Sequence, residues 1–374
     1  MRRCLPRLRS HGVDVAVVTA AIPGEPKRAA VDGVAIRRLP AVGWTPSLRM
    51  ACFGASAFLH LLATRRHWDV LHVVGISWHC YTGILAARLL HKRVVVEMVM
   101  LGDDDPASIA ALRFGALKLA IWKRADRVAS LSSALTEAAR SAGIPPERIP
   151  EIPVGVDTEL FRPLPDSDRD PEARRRLRER LGLPPSGRLA VFVGAIMARK
   201  GVDTLVEAWP AVLAAVPEAH LLLVGPRDLT PEDRLFREEL DRRIDALGIR
   251  ERVHFAGRVD GVETRLQAAD LFVLPSLTEG LPNSILEAMA CAVPTLMTDL
   301  PGIARDVIRS EEEGFLLPER TPEALAAAIS DLLPDEERRR AMGAAGRKRI
   351  LEAFSIAGRA ERYAALYRSL LEPA

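Results

Sequence analysis

Cysteine is scarce in this chain, and its few residues are scattered. Cys4, Cys52, Cys80 and Cys291 lie far apart in 374 residues and make no closely spaced pairs. That spacing argues against a zinc ribbon and against a disulfide scaffold. The four read instead as small buried residues of a reducing compartment. A dominant charge sign is also lacking. Lys and Arg number 52 and Asp and Glu 49, a net charge of +3, which is too small to argue for a nucleic-acid partner. No apolar run approaches the length of a transmembrane helix. The arginines near Met1 are not followed by a long apolar segment, so no secretory signal is expected. The chain shows neither a low-complexity tract nor a sequence repeat. The expected location is the cytoplasm.

What is present is ordinary for a soluble globular protein, with 48% hydrophobic and 27% charged residues. The length suits two domains, because single cores stop growing well before it. Basic residues cluster at Arg2, Arg3, Arg7 and Arg9, and at Arg174, Arg175, Arg176, Arg178 and Arg180. The second cluster reads as a solvated helix face. A weak attraction to anionic lipid headgroups is the other reading, so peripheral contact with a membrane is kept as an expectation.

Strand and helix patterns alternate along the chain, which argues for α/β architecture with doubly wound parallel sheets. Strands are expected at 13–19, 34–38, 70–73, 94–98 and 128–131, with helices at 46–64, 81–90, 107–124 and 133–142. Residues 163–187, rich in Pro, Asp and Arg, read as a linker holding one short helix. A second set follows: strands at 189–193, 220–224, 253–256, 271–274 and 295–298, and helices at 205–216, 234–247, 264–268 and 284–289. The last helix, 355–371, is amphipathic and carries Tyr363 and Tyr367.

The stretch from Pro275 to Ala290 carries most of the chemistry. A buried strand, Leu271 to Leu274, ends at Pro275 and a Gly/Pro loop turns into a helix. Free backbone N–H groups at a helix start, beside the carboxyl end of a strand, are where phosphates bind in α/β sheets. Glu279 stands in the loop and Glu287 about one turn into the helix, at about 3.6 residues per turn. Amides for a diphosphate and carboxylates for ribose and sugar hydroxyls together suit a nucleotide sugar.

With the strand before it and Ala290-Cys291-Ala292-Val293-Pro294-Thr295 after it, this string resembles the Glu-x7-Glu motif of retaining GT-B glycosyltransferases, glycosyltransferase family 4. The resemblance implies two Rossmann-like domains facing a cleft. Residues 1–164 would be the acceptor-side domain, with the 355–374 helix packing back on it, and 165–354 the donor domain. It implies retaining, metal-independent transfer from a nucleotide-diphosphate sugar of the UDP or GDP type, with no cofactor. The acceptor, a glycan, lipid or small molecule, is not implied.

Gly194-Ala195-Ile196-Met197-Ala198-Arg199-Lys200-Gly201 resembles the family's phosphate-binding Arg-x4-Lys-Gly segment. Lys200 matches the lysine, which would meet the leaving diphosphate. Ala195 stands where the family has arginine, and Arg199 is the nearest substitute. Catalytic roles are therefore expected for Glu279, Lys200 and Arg199. Donor contacts are expected from Glu287, from Gly280, Leu281, Pro282, Asn283 and Ser284, from Gly194, where glycine lets backbone approach a phosphate, and from Arg258. Asp270 resembles a structural aspartate of the family. Arg305 stands where a family acid is usual, with Asp306 beside it. Residues 152–161, with Gly155 and Asp157, match the interdomain turn. After the strand at 94–98 many relatives carry a histidine that is absent here. Glu97, Asp103 and Asp104 occupy the neighbourhood and are acceptor-side candidates, whereas Asp105 or Ser108 reads as a helix N-cap. His72 and His79 read as packed residues.

The family's first strand and glycine loop have no counterpart before residue 13, and their loss would expose ladder groups of neighbouring strands. A longer native chain is one expectation from that. A non-catalytic nucleotide-sugar-binding protein is the alternative function, and a GT-B sugar-nucleotide epimerase a third.

Overall fold

A computed structural model describes residues 3–102, 105–165, 172–227 and 230–372. The chain divides into two compact units, Met1–Gly155 with Ile356–Ala374, and Val156–Ser355. The division falls between Gly155 and Val156, just ahead of a turn at 158–160, rather than at 164/165. Asp157 shapes that turn, accepting the Leu160 N–H at 3.4 Å through its carboxylate and the Phe161 N–H at 2.8 Å through its carbonyl.

The first unit begins with helix α1 (Leu5–Ser10) and strands β1 (Ala16–Ala20), β2 (Arg28–Val31) and β3 (Val34–Leu39). Then come α2 (Pro46–Ala63), β4 (Val70–Val74), α3 (Trp78–Leu89), β5 (Arg93–Glu97), α4 (Pro106–Ala111), α5 (Gly115–Trp122), β6 (Arg127–Ala129) and α6 (Ser133–Ser141). Among the described residues these strands form two three-stranded sheets, β1-β3-β2 and β4-β5-β6. β5, between two neighbours, is buried from Val94 to Glu97. β1 and β4, terminal strands of their sheets, are largely half-buried, and Val74 is 42% exposed.

Two departures have local causes. β2 pairs antiparallel with β3, Ala29 opposite Ile36, and its short Arg-Ala-Ala-Val run carries no clear alternation. The single helix expected over 107–124 is broken into α4 and α5 at Phe114, whose φ is +60°. Gly115 makes the elbow tight, since a Cβ there would sit 2.2 Å from the Ala110 carbonyl oxygen.

The C-terminal helix, Ile356–Leu371, packs into the first unit's core. Ala360, Tyr363, Ala364 and Leu370 cluster with Cys4, Leu8, Val95 and Ile152. A buried polar network lies within this apolar contact. Arg359 donates to both oxygens of Glu97 at 3.0 and 2.9 Å, and the Tyr363 hydroxyl donates to the same carboxylate. His72 lies 3.6 Å from Glu97 through Nε2 and 2.6 Å from the Tyr367 hydroxyl through Nδ1.

The second unit holds α7 (Ala173–Arg180), β7 (Arg188–Val193), α8 (Val202–Ala215), β8 (Ala219–Val224), α9 (Pro231–Ala246) and β9 (Val253–Gly257). It continues with α10 (Val262–Ala268), β10 (Leu271–Leu274), α11 (Asn283–Ala290), β11 (Thr295–Thr298), α12 (Ala304–Val307), β12 (Phe315–Leu317), α13 (Pro322–Leu332) and α14 (Glu336–Ala353). Its six strands form one sheet in the order β12-β11-β10-β7-β8-β9, every pair parallel. β10 is fully buried, so its continuous Leu-Phe-Val-Leu run is what a strand covered on both faces requires.

Four arginines of the 174–180 cluster, Arg174, Arg175, Arg176 and Arg180, are exposed, as a solvated face requires, and Arg178 is the exception. Arg178 is buried and bonds Asp270 at 2.6 Å, while Arg174 reaches the other oxygen of that carboxylate at 3.2 Å. Asp270 also accepts the Leu189 N–H at 2.8 Å, so it joins α7, β7 and the entry to β10. Burial pushes the Asp270 carboxyl up, but the charges of Arg178 and Arg174 outweigh it and hold the group below its usual range.

Candidate active site

The second sheet has one point where its strand order reverses. From β7 the chain lays β8 and β9 to one side, then returns to place β10 against the other edge of β7. Loops leaving the carboxyl ends of adjacent parallel strands diverge at such a point and open a crevice. The two loops here are 194–201 after β7 and 275–282 after β10, and they contain Lys200 and Glu279.

The loops are joined by side chain and backbone. Lys200 Nζ lies 2.5 Å from Glu279 Oε1. The two side chains are only 15% and 7% exposed, which shields the pair from most solvent screening. Arg199 donates to the Thr278 carbonyl at 2.8 Å, and its own carbonyl accepts the Leu277 N–H at 2.9 Å. Arg199 thus braces the Glu279 loop. Gly201 permits the approach, because its φ is +69° and a Cβ there would fall 2.0 Å from the Pro275 carbonyl oxygen. The Lys-Gly pair is therefore one device, with glycine setting the backbone that carries the lysine.

α11 starts directly after the Glu279 loop. Pro282 is its N-cap residue and no side chain caps the first turn. The amides of this turn carry the partial positive charge of the helix start. Gly280, Leu281 and Pro282 are buried, Ser284 and Glu287 half-buried, and Asn283 exposed. Gly194 directly follows β7 and donates its N–H to the Val224 carbonyl at 2.9 Å. Arg258 follows β9 and is exposed. Arg305, in α12, bonds Asp299 of the loop after β11 at 2.6 Å.

One residue at this site escaped the sequence reading. Arg320, just after β12, donates to Thr204 Oγ1 at 2.9 Å and abuts the Gly201 turn, 3.0 Å from where a Cβ would stand. The elements from 304 to 353 had not been assigned, so nothing placed Arg320 near β7. Its position directly after the Phe-Leu-Leu strand was the available signal.

The acceptor-side candidates fare differently. Glu97 is 2% exposed, and its carboxylate is taken up by Arg359 and Tyr363 in the first unit's core. It anchors the C-terminal helix and does not present a carboxylate to an acceptor. Asp103 and Asp104 lie outside the described residues. Asp105 is the α4 N-cap, accepting from the Ala107 and Ser108 amides at 2.9 and 3.0 Å. His79 bonds Ser77 Oγ at 2.6 Å.

Two strand-end loops clasped at a switch point, one offering a cation and the other a carboxylate beside an uncapped helix, mark the second unit of this two-unit α/β protein as the candidate site. A family model described as glycosyl transferases group 1 matches residues 173–349, and one described as a glycosyl transferase 4-like domain matches residues 1–155. The D-inositol 3-phosphate glycosyltransferase of Kineococcus radiotolerans is 27% identical over 98% of this chain and 88% of its own. The GDP-mannose-dependent alpha-(1-6)-phosphatidylinositol monomannoside mannosyltransferase of Mycolicibacterium smegmatis is 33% identical over 76% of this chain and 72% of its own. Among solved structures, Anabaena HepE in complex with UDP and glucose superposes with a TM-score of 0.79 at 19% identity, covering 98% of this chain and 95% of that one. The chain belongs to the group 1 glycosyltransferases and is a glycosyltransferase enzyme.

Proposed function

We propose that the chain transfers a sugar from a nucleotide-diphosphate sugar of the UDP or GDP type to an acceptor hydroxyl, with retention of anomeric configuration and without a metal or other cofactor. The observation that carries this reading is the Lys200–Glu279 clasp at the β7/β10 switch point, beside the uncapped start of α11. Relatives named for GDP-mannose and a structural neighbour holding UDP support the donor class. Relatives named for phosphatidylinositol monomannoside and for lipopolysaccharide core biosynthesis support a glycolipid or glycan acceptor.

In this reading the acceptor oxygen bonds the anomeric carbon on the face from which the diphosphate departs. The carbon–oxygen bond to the diphosphate breaks, and the acceptor proton passes to a diphosphate oxygen. Negative charge grows on the leaving group, where Lys200 and the α11 amides stabilise it. Without donor, Lys200 and Glu279 neutralise each other, and the donor offers each a new partner. Glu279 then holds sugar hydroxyls beside the reacting carbon, and Glu287 the ribose hydroxyls. Arg199 keeps the Glu279 loop in position, Gly194 lets backbone approach the diphosphate, and Arg258 borders the nucleoside.

Donor turnover by Lys200→Ala and Glu279→Ala tests the assignment. Each is expected to lower the rate by about 10²- to 10³-fold, the usual loss when a preorganised charge-stabilising group is removed. Wild-type rates in both variants would end it. Activity is expected to survive chelation, and its loss would overturn the metal-free part of the proposal.

A further inference from the structure

Charge is divided unequally between the two units. The first carries 24 Lys and Arg against 14 Asp and Glu, a net +10, whereas the second carries 28 against 35, a net −7. The near-neutral total conceals this, and such asymmetry points to an anionic surface as partner. Within the first unit, residues 106–125 contain no acid at all and hold Arg113, Lys118, Lys123 and Arg124.

That same segment, α4 and α5 with their elbow, is apolar on both sides. Ile109 and Trp122 are buried beneath it. On the outside Leu112, Phe114 and Leu117 are 51%, 63% and 62% exposed. A surface helix normally turns a polar face to water, and a helix apolar all round is normally covered. Phe114 is held at φ +60°, a strained conformation for a bulky residue, with the Arg113 guanidinium 5.0 Å from its ring. α3 lies alongside. Lys118 sits 5.4 Å from the Trp78 ring at one end, and Arg88 donates to the Arg124 carbonyl at 2.8 Å at the other. Trp78 is itself 43% exposed.

We propose that the outer face of α4–α5, with Trp78 of α3, docks on an anionic lipid bilayer. Phe114, Leu112 and Leu117 enter the headgroup region, and Arg113, Lys118 and Arg124 meet lipid phosphates. An interfacial helix combines these two features, an apolar face for the acyl boundary and cations for anionic headgroups. Among the described residues no helix is long and apolar enough to cross a membrane, so the contact is with the surface. The inference goes beyond the donor chemistry and does not depend on it.

Co-sedimentation of the full chain with vesicles tests it. Binding is expected with equimolar phosphatidylcholine and phosphatidylglycerol, weaker with phosphatidylcholine alone, and falling as salt rises. Arg113→Ala should weaken partitioning about five-fold, the share of one cation near the surface. Leu117→Asp should weaken it about ten-fold or more by placing a charge where an apolar side chain enters. Both residues are exposed, so the fold is retained. Leu235→Asp, on the exposed face of α9 in the acidic unit, should bind as wild type. Failure to bind anionic vesicles, or wild-type binding by Leu117→Asp and Arg113→Ala, overturns the proposal. Concentration-dependent self-association that Leu117→Asp abolishes, without vesicle binding, would also overturn it and assign the face to a protein partner.

Discussion

Replacing Arg359 with methionine tests what holds the C-terminal helix to the first unit. The guanidinium makes two bonds to Glu97 at 3.0 and 2.9 Å, and the two side chains are 4% and 3% exposed. Methionine keeps much of the volume and removes the charge, leaving a buried carboxylate with the Tyr363 hydroxyl and His72. Breaking a buried pair by removing one partner costs about 3–5 kcal/mol. A whole domain is stable by only about 5–15 kcal/mol. Opening of β5 and of the C-terminal helix should therefore become about 10²- to 10³-fold more frequent, at about 1.4 kcal/mol per factor of ten. Hydrogen–deuterium exchange of peptides spanning 93–97 and 356–371 reads this directly. The pH dependence should change as well. In the native chain burial pushes Glu97 up, but Arg359, His72 and the Tyr363 hydroxyl outweigh it and hold the carboxyl low. Its stabilisation is thus full above the unfolded value of about 4.3 and is lost as pH falls through the lower folded value. His72 adds the same sign, because burial holds it neutral and the unfolded state gains its proton below about pH 6.5. Without Arg359, burial raises Glu97, so the variant recovers stability relative to wild type on acidification. Adding Glu97→Gln should restore part of the loss at neutral pH. Exchange within about two-fold of wild type for Arg359→Met would refute the reasoning, since that is the scale of non-interacting surface changes.

Gly201→Ala would push a Cβ to 2.0 Å from the Pro275 carbonyl at a φ of +69°, so the two donor loops must part. Donor turnover should fall on the order of 10²-fold, the cost of misplacing reacting groups by about 1 Å, and an unchanged rate would contradict the clasp. Asp270→Asn leaves Arg178 buried without its anion, which should cost the second unit about 3–5 kcal/mol in urea unfolding. Because Arg178 and Arg174 hold Asp270 low, the wild-type contribution is full above the unfolded value of about 3.9 and lost as pH falls through the folded one. The variant should lack that acid slope, and an identical slope in both would contradict the assignment.

The second unit's candidate site was legible because its signals are local. Leu271–Leu274, the Gly/Pro loop and the start of α11 follow one another within twenty residues, and Lys200-Gly201 directly follows a strand. Asp105 as an N-cap was equally local. What failed depended on distance. Glu97 reads as a strand-end carboxylate with chemistry to do, and only folding brings Arg359 to it across 262 positions. Arg178 and Asp270, 92 positions apart, likewise meet only on folding, which gives one arginine of an otherwise exposed face a buried partner. The α4–α5 break lay inside a continuous helical pattern, where Gly115 was the cue that a tight elbow was needed. β12 through α14 give weaker signals, although Thr321 and Asp335 are N-caps, accepting the Ala324 and Arg338 amides at 3.1 and 2.9 Å. α14, dominated by charged residues, shows no clear apolar stripe to announce it.

The most direct test of the donor site is a calorimetric titration of the purified chain with UDP and with GDP, repeated on Lys200→Ala. The account predicts one nucleotide bound per chain, with one base preferred, and an affinity about ten-fold or more weaker in the variant, the scale of a lost charge-assisted phosphate contact. A folded chain that binds neither nucleotide, or a variant that binds as tightly as wild type, would contradict a donor site at the ends of β7 and β10.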